Sequence, residues 1–285
     1  MTPGPPRWRF ALVGSPVAHS RSPDLFAALA AGAGTTCDYT LADISGPALD
    51  AWWSGPAREL HGFNVTVPHK TTAAARCTAL SGPAARTGAV NAVRLEPDRG
   101  TTGTNTDAAG FDLTLGDAAF ERAVVLGAGG AARAVVDVLL GRGVARVRLV
   151  NRSPARAAEL VASRSASERA RVSTTPWSHL ADALDGADLV VQTTSAALSA
   201  PEALATLPWE STTASALAVD LVYRPRRTAF LLGAARGGRR TADGLTMLAG
   251  QAAAAFDFFR GVESDPQVFS GVARGLADSL RAGVD

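Results

Sequence analysis

Residues 122–132 read RAVVLGAGGAA, a short apolar run that meets a cluster of glycines. Arg122–Leu126 has the length and composition of a buried strand. Beyond the glycines, apolar residues recur at helical spacing on one face, at Ala131, Ala134, Val135, Val138 and Leu139. The stretch therefore predicts a strand, a tight turn and a helix, which is how a Rossmann-like nucleotide-binding unit begins.

The glycine turn fits the pattern Gly-x-Gly-x-x-[Gly/Ala]. Its candidate cofactor contacts are Gly127, Gly129, Gly130 and Ala131. Glycine permits the tight turn and lets a pyrophosphate approach the backbone, and the helix that follows presents free N–H groups to that anion. The turn therefore predicts a dinucleotide site. The alternative is a glycine-rich turn that serves only helix–strand packing.

The end of the next strand indicates which dinucleotide binds. Enzymes that use NAD place an acidic residue there to hold the ribose 2′-hydroxyl. Residues 151–156 read NRSPAR and contain no carboxylate. Arginine binds phosphate through charge-assisted hydrogen bonds, so this corner predicts a 2′-phosphate and NADP as the cofactor. Its candidate contacts are Asn151, Arg152, Ser153 and Arg156. The alternative is that both arginines are ordinary exposed residues in an arginine-rich chain.

Strand-like and helix-like segments alternate along the rest of the chain, which is typical of the α/β class. The predicted strands are Arg7–Val13, Leu60–Val67, Thr87–Leu95, Val144–Val150, Ala187–Val191 and Ala216–Val222. The predicted helices are Pro23–Ala31 with Ser22 as N-cap, one that Pro68 opens, Ala155–Ala162, Thr228–Ala235, Gly244–Arg260 and Pro266–Ala282.

The last helix carries an apolar stripe made of Phe269, Val272, Leu276 and Leu280. A sheet in the first hundred or so residues still needs covering, so we expect the two final helices to pack back on the N-terminal region. The polar stretch Ser163–Ser173 is expected to be a surface excursion.

Composition excludes several function classes. The net charge of +2 gives no electrostatic case for nucleic-acid or membrane binding. Cys37 and Cys77 form no metal-ligand pattern, so no metal site is expected. The proline-rich stretch Met1–Arg9 does not resemble a signal peptide, and no apolar run of membrane-spanning length follows. We therefore expect a cytoplasmic protein that acts on a small molecule, as a monomer or a homodimer.

Lys70 is the only lysine in a chain rich in arginine. Lysine can give up its proton, whereas arginine stays protonated at any relevant pH. A lysine that survives such a bias is a candidate for proton transfer, and the alternative is survival by drift. An Asp107 neighbour would orient the ammonium group and help it relay a proton.

Hydroxyl and amide side chains cluster at predicted strand ends and helix starts in the first hundred or so residues. The segments are Ser20–Ser22, Asn64–Thr66, Asn91 and Asn105–Asp107. Ligands bind at such strand ends in α/β sheets, and a pocket of this composition suits a small polyhydroxylated acid. Serines at a helix start can bind a carboxylate. Simple helix capping is the alternative for Ser22 and for Asp107.

These motifs occur in one order along almost the whole chain, and the sequence resembles the shikimate dehydrogenase family. The segments that carry the resemblance are Gly14–Pro23, Asn64–Lys70, Gly88–Asn91, Asn105–Asp107, Gly127–Ala131, Asn151–Ser153 and Ala242–Leu245. The resemblance implies reversible reduction of 3-dehydroshikimate to shikimate with NADPH, in aromatic amino-acid biosynthesis. It also implies a substrate-binding domain made of residues 1–107 and 245–285, and a Rossmann-like NADP-binding domain of residues 108–244.

The resemblance assigns a role to each site residue. Lys70 and Asp107 are the catalytic pair. Ser20 and Ser22 bind the substrate carboxylate, and Tyr223 reaches the same group. The predicted contacts to ring hydroxyls are Thr66, Asn91 and Gln251. Those to the nicotinamide are Gly244 and Met247.

Two segments depart from the family pattern. The turn Gln192–Ala197 lacks the usual asparagine and Gly-Met ending, so its contacts with the cofactor are expected to differ. Phe26 stands where the family often has histidine, so the packing behind the substrate is expected to differ.

Two alternatives to this function stay open. One is a sister enzyme with the same chemistry on quinate or an aminoshikimate. The other is a non-catalytic, ligand-binding regulatory protein, which would be expected to lose Lys70 or Asp107.

Overall fold

The computed structural model describes residues 7–98, 100–194 and 202–282. The chain forms two compact units, Met1–Gly110 with Ala249–Asp285, and Phe111–Leu248. Each unit contains a six-stranded sheet flanked by helices, so the predicted α/β class with two domains is confirmed. The boundaries between the units lie a few residues from those implied by the family resemblance.

The elements are numbered along the chain. The strands of the first unit are β1 (Arg7–Gly14), β2 (Thr36–Asp43), β3 (Gly62–Val65), β4 (Ala79–Leu80), β5 (Ala92–Leu95) and β6 (Thr101–Thr104). Those of the second unit are β7 (Arg122–Leu126), β8 (Arg146–Asn151), β9 (Val172–Pro176), β10 (Leu189–Gln192), β11 (Leu217–Asp220) and β12 (Arg240–Ala242). The helices are α1 (Ser22–Gly32), α2 (Leu49–Ser54), α3 (Lys70–Arg76), α4 (Pro83–Thr87), α5 (Asp107–Leu115), α6 (Gly130–Gly141), α7 (Pro154–Ala162), α8 (Ala166–Arg169), α9 (Leu180–Leu184), α10 (Glu202–Ala205), α11 (Ala229–Arg236), α12 (Leu245–Arg260) and α13 (Pro266–Ala282).

The first sheet is mixed, in the order β2-β1-β3-β5-β6-β4. Strands β1 and β3 are parallel, with Val13 opposite Val65, whereas β5 is antiparallel to β3 and β6, with Ala92 opposite Asn64 and Thr104. The segments that follow β1, β3 and β6, and the one that precedes β5, therefore meet at one edge of the sheet. That edge collects all the hydroxyl- and amide-rich segments predicted from the sequence.

Helix α12 completes the core of the first unit through aromatic contacts. Phe259 lies 5.0 Å from Phe10 and 6.0 Å from Phe26, measured between ring centroids. Gly62 leaves room for this helix, since a Cβ there would lie 2.5 Å from the Phe259 ring. Arg94 also stacks on Phe258 at 5.1 Å. Helix α12 thus packs on the N-terminal sheet, as expected.

The second sheet is parallel throughout, in the order β12-β11-β10-β7-β8-β9. Successive side chains of a strand point to opposite faces. Val125 of β7 packs in a core with residues of α6 and α7, whereas Leu126 packs in a second core with residues of α11. Both faces are therefore buried, which explains why β7 is an uninterrupted apolar run.

Two sequence-based element predictions are wrong. Residues 87–95 do not form one strand: Pro83 and Gly88, which has a φ of +62°, bound helix α4, and the strand begins only at Ala92. Helix α3 begins at Lys70 and not at Pro68. The stretch 163–173 is mostly exposed, as expected of a surface excursion, and it contains helix α8, whose start is fixed by a capping box between Ser165 and Glu168.

The stripe on helix α13 also differs from its prediction. Val272 is 45% exposed, and Ala273 is the buried residue at that turn. Leu280 is buried as predicted. In the described parts of the chain, no helix combines the length and apolar character that crossing a membrane requires.

Candidate functional site

Lys70 and Asp107 form an ion pair at the edge where the polar segments meet. Lys70 begins helix α3 and Asp107 begins helix α5. The Lys70 Nζ lies 2.5 Å from Asp107 Oδ2, and the two side chains are only 13% and 8% exposed. The structure thus brings together the two residues expected to be catalytic, although they lie far apart in the sequence.

Asn91 holds the second oxygen of the Asp107 carboxylate. Its Nδ2 donates to Asp107 Oδ1 at 2.8 Å and to Thr106 Oγ1 at 3.0 Å. Its Oδ1 accepts from the Thr106 N–H at 2.7 Å. At the start of α5, Asn105 accepts from the Asp107 N–H at 3.1 Å. The two oxygens of the Asp107 carboxylate therefore bond to Lys70 and Asn91. This arrangement does not favour the alternative in which Asp107 only caps a helix.

Ser20 and Ser22 bond to each other. Ser20 Oγ donates to Ser22 Oγ at 3.0 Å, and the Ser22 N–H donates to Ser20 Oγ at 3.2 Å. The prediction of Ser22 as the N-cap of α1 is wrong, because the helix begins at Ser22 and no side chain caps it. The Ser22 hydroxyl instead accepts a hydrogen bond from Ser20.

Tyr39 was not expected to be a site residue, yet it bonds to Asn64, which lies in one of the predicted polar segments and bonds in turn to Asn91. Tyr39 Oη donates to Asn64 Oδ1 at 2.9 Å, and Asn64 Nδ2 donates to the Asn91 carbonyl at 3.1 Å. Burial raises the pKa of Tyr39 above its ordinary value. The sequence signal for Tyr39 was the scarcity of tyrosine in the chain, whereas Asn64 lies in a segment that carries the family resemblance.

The remaining predicted substrate contacts are divided between the two units. Thr66 directly follows β3, whose last residue, Val65, donates its N–H to the Asn91 carbonyl at 2.8 Å. Gln251, on α12, also belongs to the first unit, whereas Tyr223 belongs to the second. Within the first unit, hydrogen bonds link Asn91, Asp107 and Lys70, and a separate pair of bonds joins Ser20 to Ser22.

In the glycine turn of the second unit, the structure explains Gly127 and Gly129 in different ways. Gly127 has a φ of +120°, and a Cβ there would lie 2.3 Å from Thr193 Oγ1, so packing alone accounts for it. Gly129 has an extended backbone and directly precedes helix α6, and a Cβ there would meet nothing within 4 Å. Packing alone therefore does not explain the glycine at position 129. Open space in front of free helix N–H groups suits a pyrophosphate.

Gly130 and Ala131, the other predicted contacts in this turn, are the first residues of helix α6. The N–H groups at the start of a helix have no partner within the helix. This turn therefore fits the diphosphate of a dinucleotide.

The segment 151–156 after β8, predicted to bind the 2′-phosphate, is open and basic. Arg152 and Arg156 are exposed, and neither forms an ion pair with any residue that the structure describes. Asn151 Nδ2 donates to the Ser153 carbonyl at 2.9 Å, and the Ser153 hydroxyl makes no capping bond to α7. Two free guanidinium groups beside a helix start fit a 2′-phosphate.

Packing also explains why residue 244 is glycine and why Met247 is buried. A Cβ at Gly244 would lie 2.4 Å from the Leu221 carbonyl oxygen, so glycine allows the backbone of this segment to approach the end of β11. Met247 is buried in the apolar core that also contains Val219. Their contact with a nicotinamide stays a prediction.

The unusual turn after β10 is described only up to Thr194, and Ser195–Ala197 lies outside the described residues. Gln192 is fully buried, and its side chain bonds to the backbone N–H and carbonyl of Thr194, both at 2.8 Å. The glutamine therefore holds the first part of this turn beside Gly127.

Both halves of the chain match known families. Residues 12–93 match the family described as shikimate dehydrogenase substrate binding domain, and residues 112–228 match shikimate / quinate 5-dehydrogenase. The chain is also 39% identical over 281 residues to the shikimate dehydrogenase (NADP(+)) of Brucella canis, covering 95% of each chain. The chain belongs to the shikimate dehydrogenase family. The resemblance predicted from the sequence motifs is thereby confirmed.

Solved structures of the shikimate dehydrogenase family share the fold. The shikimate 5-dehydrogenase of Thermus thermophilus, in complex with NADP(H) and shikimate, is 38% identical with a TM-score of 0.78, covering 94% of this chain and 99% of its own. The quinate dehydrogenase of Corynebacterium glutamicum, in complex with NAD, is 28% identical with a TM-score of 0.78, covering 95% and 99%. Relatives with this fold therefore act on different acids and with different cofactors.

Proposed function

We propose that this chain reduces 3-dehydroshikimate to shikimate with NADPH, and catalyses the reverse oxidation, in aromatic amino-acid biosynthesis. The observation that carries the proposal is the buried Lys70–Asp107 pair, at 2.5 Å, with its second carboxylate oxygen held by Asn91. A lysine fixed in this way is oriented for proton transfer to or from one oxygen of a bound substrate.

Proton transfer is the task of Lys70. The nicotinamide supplies or accepts the hydride at the ring carbon. In the reducing direction, Lys70 donates a proton from Nζ to the carbonyl oxygen as that oxygen becomes a hydroxyl. In the oxidising direction, it accepts the hydroxyl proton. Asp107 orients the ammonium and stabilises its charge, since the carboxylate contacts Nζ directly.

Substrate binding falls to the hydroxyl and amide side chains of the site. Ser20 and Ser22 donate to the carboxylate, and Tyr223 contributes a further donor. Thr66 and Gln251 bind ring hydroxyls. Asn91 already makes two bonds through Nδ2 and accepts through Oδ1, so it reaches a ring hydroxyl only by exchanging one of these bonds. Its main contribution is to hold Asp107.

NADP recognition belongs to the second unit. The N-terminus of α6 binds the pyrophosphate through the turn formed by Gly127, Gly129, Gly130 and Ala131. The 2′-phosphate is held by Asn151, Arg152, Ser153 and Arg156. Gly244 and Met247 lie against the nicotinamide in this proposal.

A second candidate is oxidation of quinate, because one of the two matching families is described as shikimate / quinate 5-dehydrogenase. The basic corner at 151–156 favours NADP over NAD as its cofactor. A non-catalytic regulatory role is disfavoured, since Lys70 and Asp107 are present and paired.

We propose a cytoplasmic location, supported by the two free cysteines, Cys37 and Cys77. The proposed partner is the small-molecule substrate alone, with the chain acting as a monomer or a homodimer and binding neither nucleic acid nor membrane.

The test is the initial rate of nicotinamide reduction with shikimate, quinate and an aminoshikimate, each with NADP⁺ and with NAD⁺. We expect the highest kcat/KM for shikimate with NADP⁺. Preference for quinate or an aminoshikimate would move the chain to a sister activity. Absence of turnover with every pair would contradict an enzymatic role.

A further inference from the structure

Helices α6 and α7 begin at the two sites proposed to bind the phosphate groups of NADP. Helix α6 starts at Gly130, in the turn proposed for the pyrophosphate, and α7 starts at Pro154, in the segment 151–156 proposed for the 2′-phosphate. The strands that precede these helices, β7 and β8, are neighbours in the sheet, with Leu126 opposite Val150. The position of α7 beside α6 therefore sets the distance between the two phosphate sites.

Apolar packing does not specify that position narrowly. Both helices bury side chains in the same core, which contains Val135, Val136 and Leu139 of α6 and Ala157 and Leu160 of α7. The hydrophobic effect is not directional, so it favours burial of these side chains without selecting one axial position of the helices. Bonds between defined donors and acceptors select the position more closely.

Two arginines supply such bonds. Arg164, which follows the end of α7, donates from Nη2 to the Arg133 carbonyl at 3.2 Å and from Nη1 to the Asp137 carboxylate at 3.3 Å. Both acceptors lie on α6. Arg133 in turn donates to the carboxylate of Glu159, on α7, at 2.8 Å. Helix α6 is thus bonded to α7 at one place and to the residue that follows α7 at another.

The ion pair of Arg164 and Asp137 is the buried one of these two connections. Its side chains are 1% and 4% exposed, whereas Glu159 is 71% exposed. A buried ion pair often adds little net stability, because the cost of removing both charges from water offsets their attraction. In addition, Arg164 Nε is buried without a hydrogen-bond partner in the described parts of the chain. Stability alone therefore does not explain this pair, whereas a requirement for one position of α7 does.

We propose that Arg164 and Asp137 are positioning residues for cofactor selection. Their ion pair holds α7 at one position beside α6, and so places Arg152 and Arg156 at the 2′-phosphate when the pyrophosphate is bound at Gly129. NADH lacks that phosphate and depends less on this position. The inference rests on the proposed function, because it takes the 2′-phosphate on these two exposed arginines.

The first test replaces both partners at once, as Arg164→Met with Asp137→Leu. Removal of one charge alone would leave the other buried and unpaired, which is strongly destabilising, whereas two apolar side chains of similar volume should keep the melting temperature close to that of the wild type. The dissociation constant of NADPH, measured by fluorescence titration, should rise about threefold or more, towards the roughly tenfold effect of losing one phosphate bond. That of NADH should stay within about twofold, since NADH has no 2′-phosphate.

The matched control is Arg142→Met, which breaks an ion pair at the opposite end of α6. Arg142 follows the last turn of α6 and pairs with Asp112 of α5. We expect the melting temperature to fall while the ratio of the NADPH and NADH dissociation constants keeps its wild-type value. A changed ratio in this control would mean that any loss of stability alters cofactor selection, and would overturn the positioning role.

A second variant, Arg164→Lys, keeps a positive charge beside Asp137. A lysine ammonium lacks the planar fork through which arginine bonds to the carboxylate and to the Arg133 carbonyl together. We expect weaker binding of NADPH, by a smaller factor than in the double variant, with NADH binding unchanged. This variant decides the question by itself if the double variant does not fold. Wild-type binding of NADPH, or equal losses for NADPH and NADH, would overturn the positioning role.

Arg152→Ala separates this proposal from the proposed function. If this variant loses the preference for NADPH over NADH, the 2′-phosphate site on which the inference rests is supported. If it keeps the wild-type preference, that site and the inference are both overturned. If it loses the preference while Arg164→Lys and the double variant retain it, only the role of Arg164 and Asp137 is overturned.

Discussion

The charged groups near Lys70 are buried and paired, whereas those near Arg152 are exposed and have no ion-pair partner among the described residues. Near Lys70, each oxygen of the Asp107 carboxylate has its own donor, at 2.5 and 2.8 Å. Near Arg152, a hydrogen bond joins the Asn151 side chain to the Ser153 carbonyl. The guanidinium groups of Arg152 and Arg156 are exposed to solvent.

The difference reflects two kinds of recognition. Proton transfer needs one atom held at one place, so the protein fixes Lys70 with a network that exists before substrate arrives. Phosphate recognition needs positive charge and reach, which flexible arginine side chains supply when the phosphate arrives. Variants in the first region should therefore affect turnover, and variants in the second should affect cofactor affinity.

The largest expected effect is that of Lys70→Ala. It removes the proposed proton-transfer group, and kcat should fall by ~10²–10⁴. Lys70→Arg is the matched variant, since it keeps the charge and cannot give up its proton, and it should be nearly as slow. Steady-state rates at saturating shikimate and NADP⁺ measure both. A Lys70→Ala enzyme with the wild-type kcat would refute proton transfer by this residue.

Gly129→Ala should give the next effect. The added methyl enters the open space in front of α6, so the melting temperature should stay unchanged. The KM for NADPH should rise by about tenfold or more, because the pyrophosphate can no longer approach the backbone closely. Gly127→Ala is the comparison, because its Cβ would meet Thr193 and its φ is +120°. It should lower the melting temperature as well. A normal NADPH KM in Gly129→Ala would favour the packing-only explanation of the turn.

Arg152→Ala should raise the KM for NADPH about tenfold, because it removes a charge-assisted bond to the 2′-phosphate. The KM for NADH, which lacks that phosphate, should not change. Arg146→Ala provides the control, as this exposed arginine lies at the opposite end of the same strand. Equal losses for NADPH and NADH would mean that Arg152 does not contact the 2′-phosphate.

Added salt should produce the smallest effect and should distinguish the two regions in the wild type. Between about 0.05 and 0.5 M NaCl, the KM for NADPH should rise a few-fold. Salt screens the attraction between the exposed arginines and the 2′-phosphate. The kcat should change little, because the Lys70–Asp107 pair is buried. A kcat that falls as steeply as the NADPH KM rises would contradict this contrast.

The features that sequence could predict carry local signals. The glycine turn, the basic corner after β8 and the solitary lysine each stand out within a few residues. Strand β7 was predicted with its observed bounds because it is buried on both faces and apolar throughout. Strand β2 was not predicted, although Cys37, Tyr39 and Leu41 alternate with polar residues; it is an edge strand with no fully buried residue.

The features that sequence could not predict depend on contacts between distant segments. Ser22 was expected to cap its helix, but its hydroxyl accepts a hydrogen bond from Ser20 and makes no capping bond. The Tyr39–Asn64 bond joins residues 25 positions apart, through a strand that the sequence did not reveal. Gly127 and Gly129 look equivalent in the motif, and only the position of Thr193 shows that packing explains the first alone.

The most direct test of the contrast is the dissociation constant of NADPH, measured by fluorescence titration for the wild type, Lys70→Ala and Arg152→Ala. If catalysis and cofactor recognition rest on separate groups, Lys70→Ala binds NADPH as the wild type does, and Arg152→Ala binds it about tenfold more weakly. Weakening by Lys70→Ala as large as that by Arg152→Ala would contradict the account.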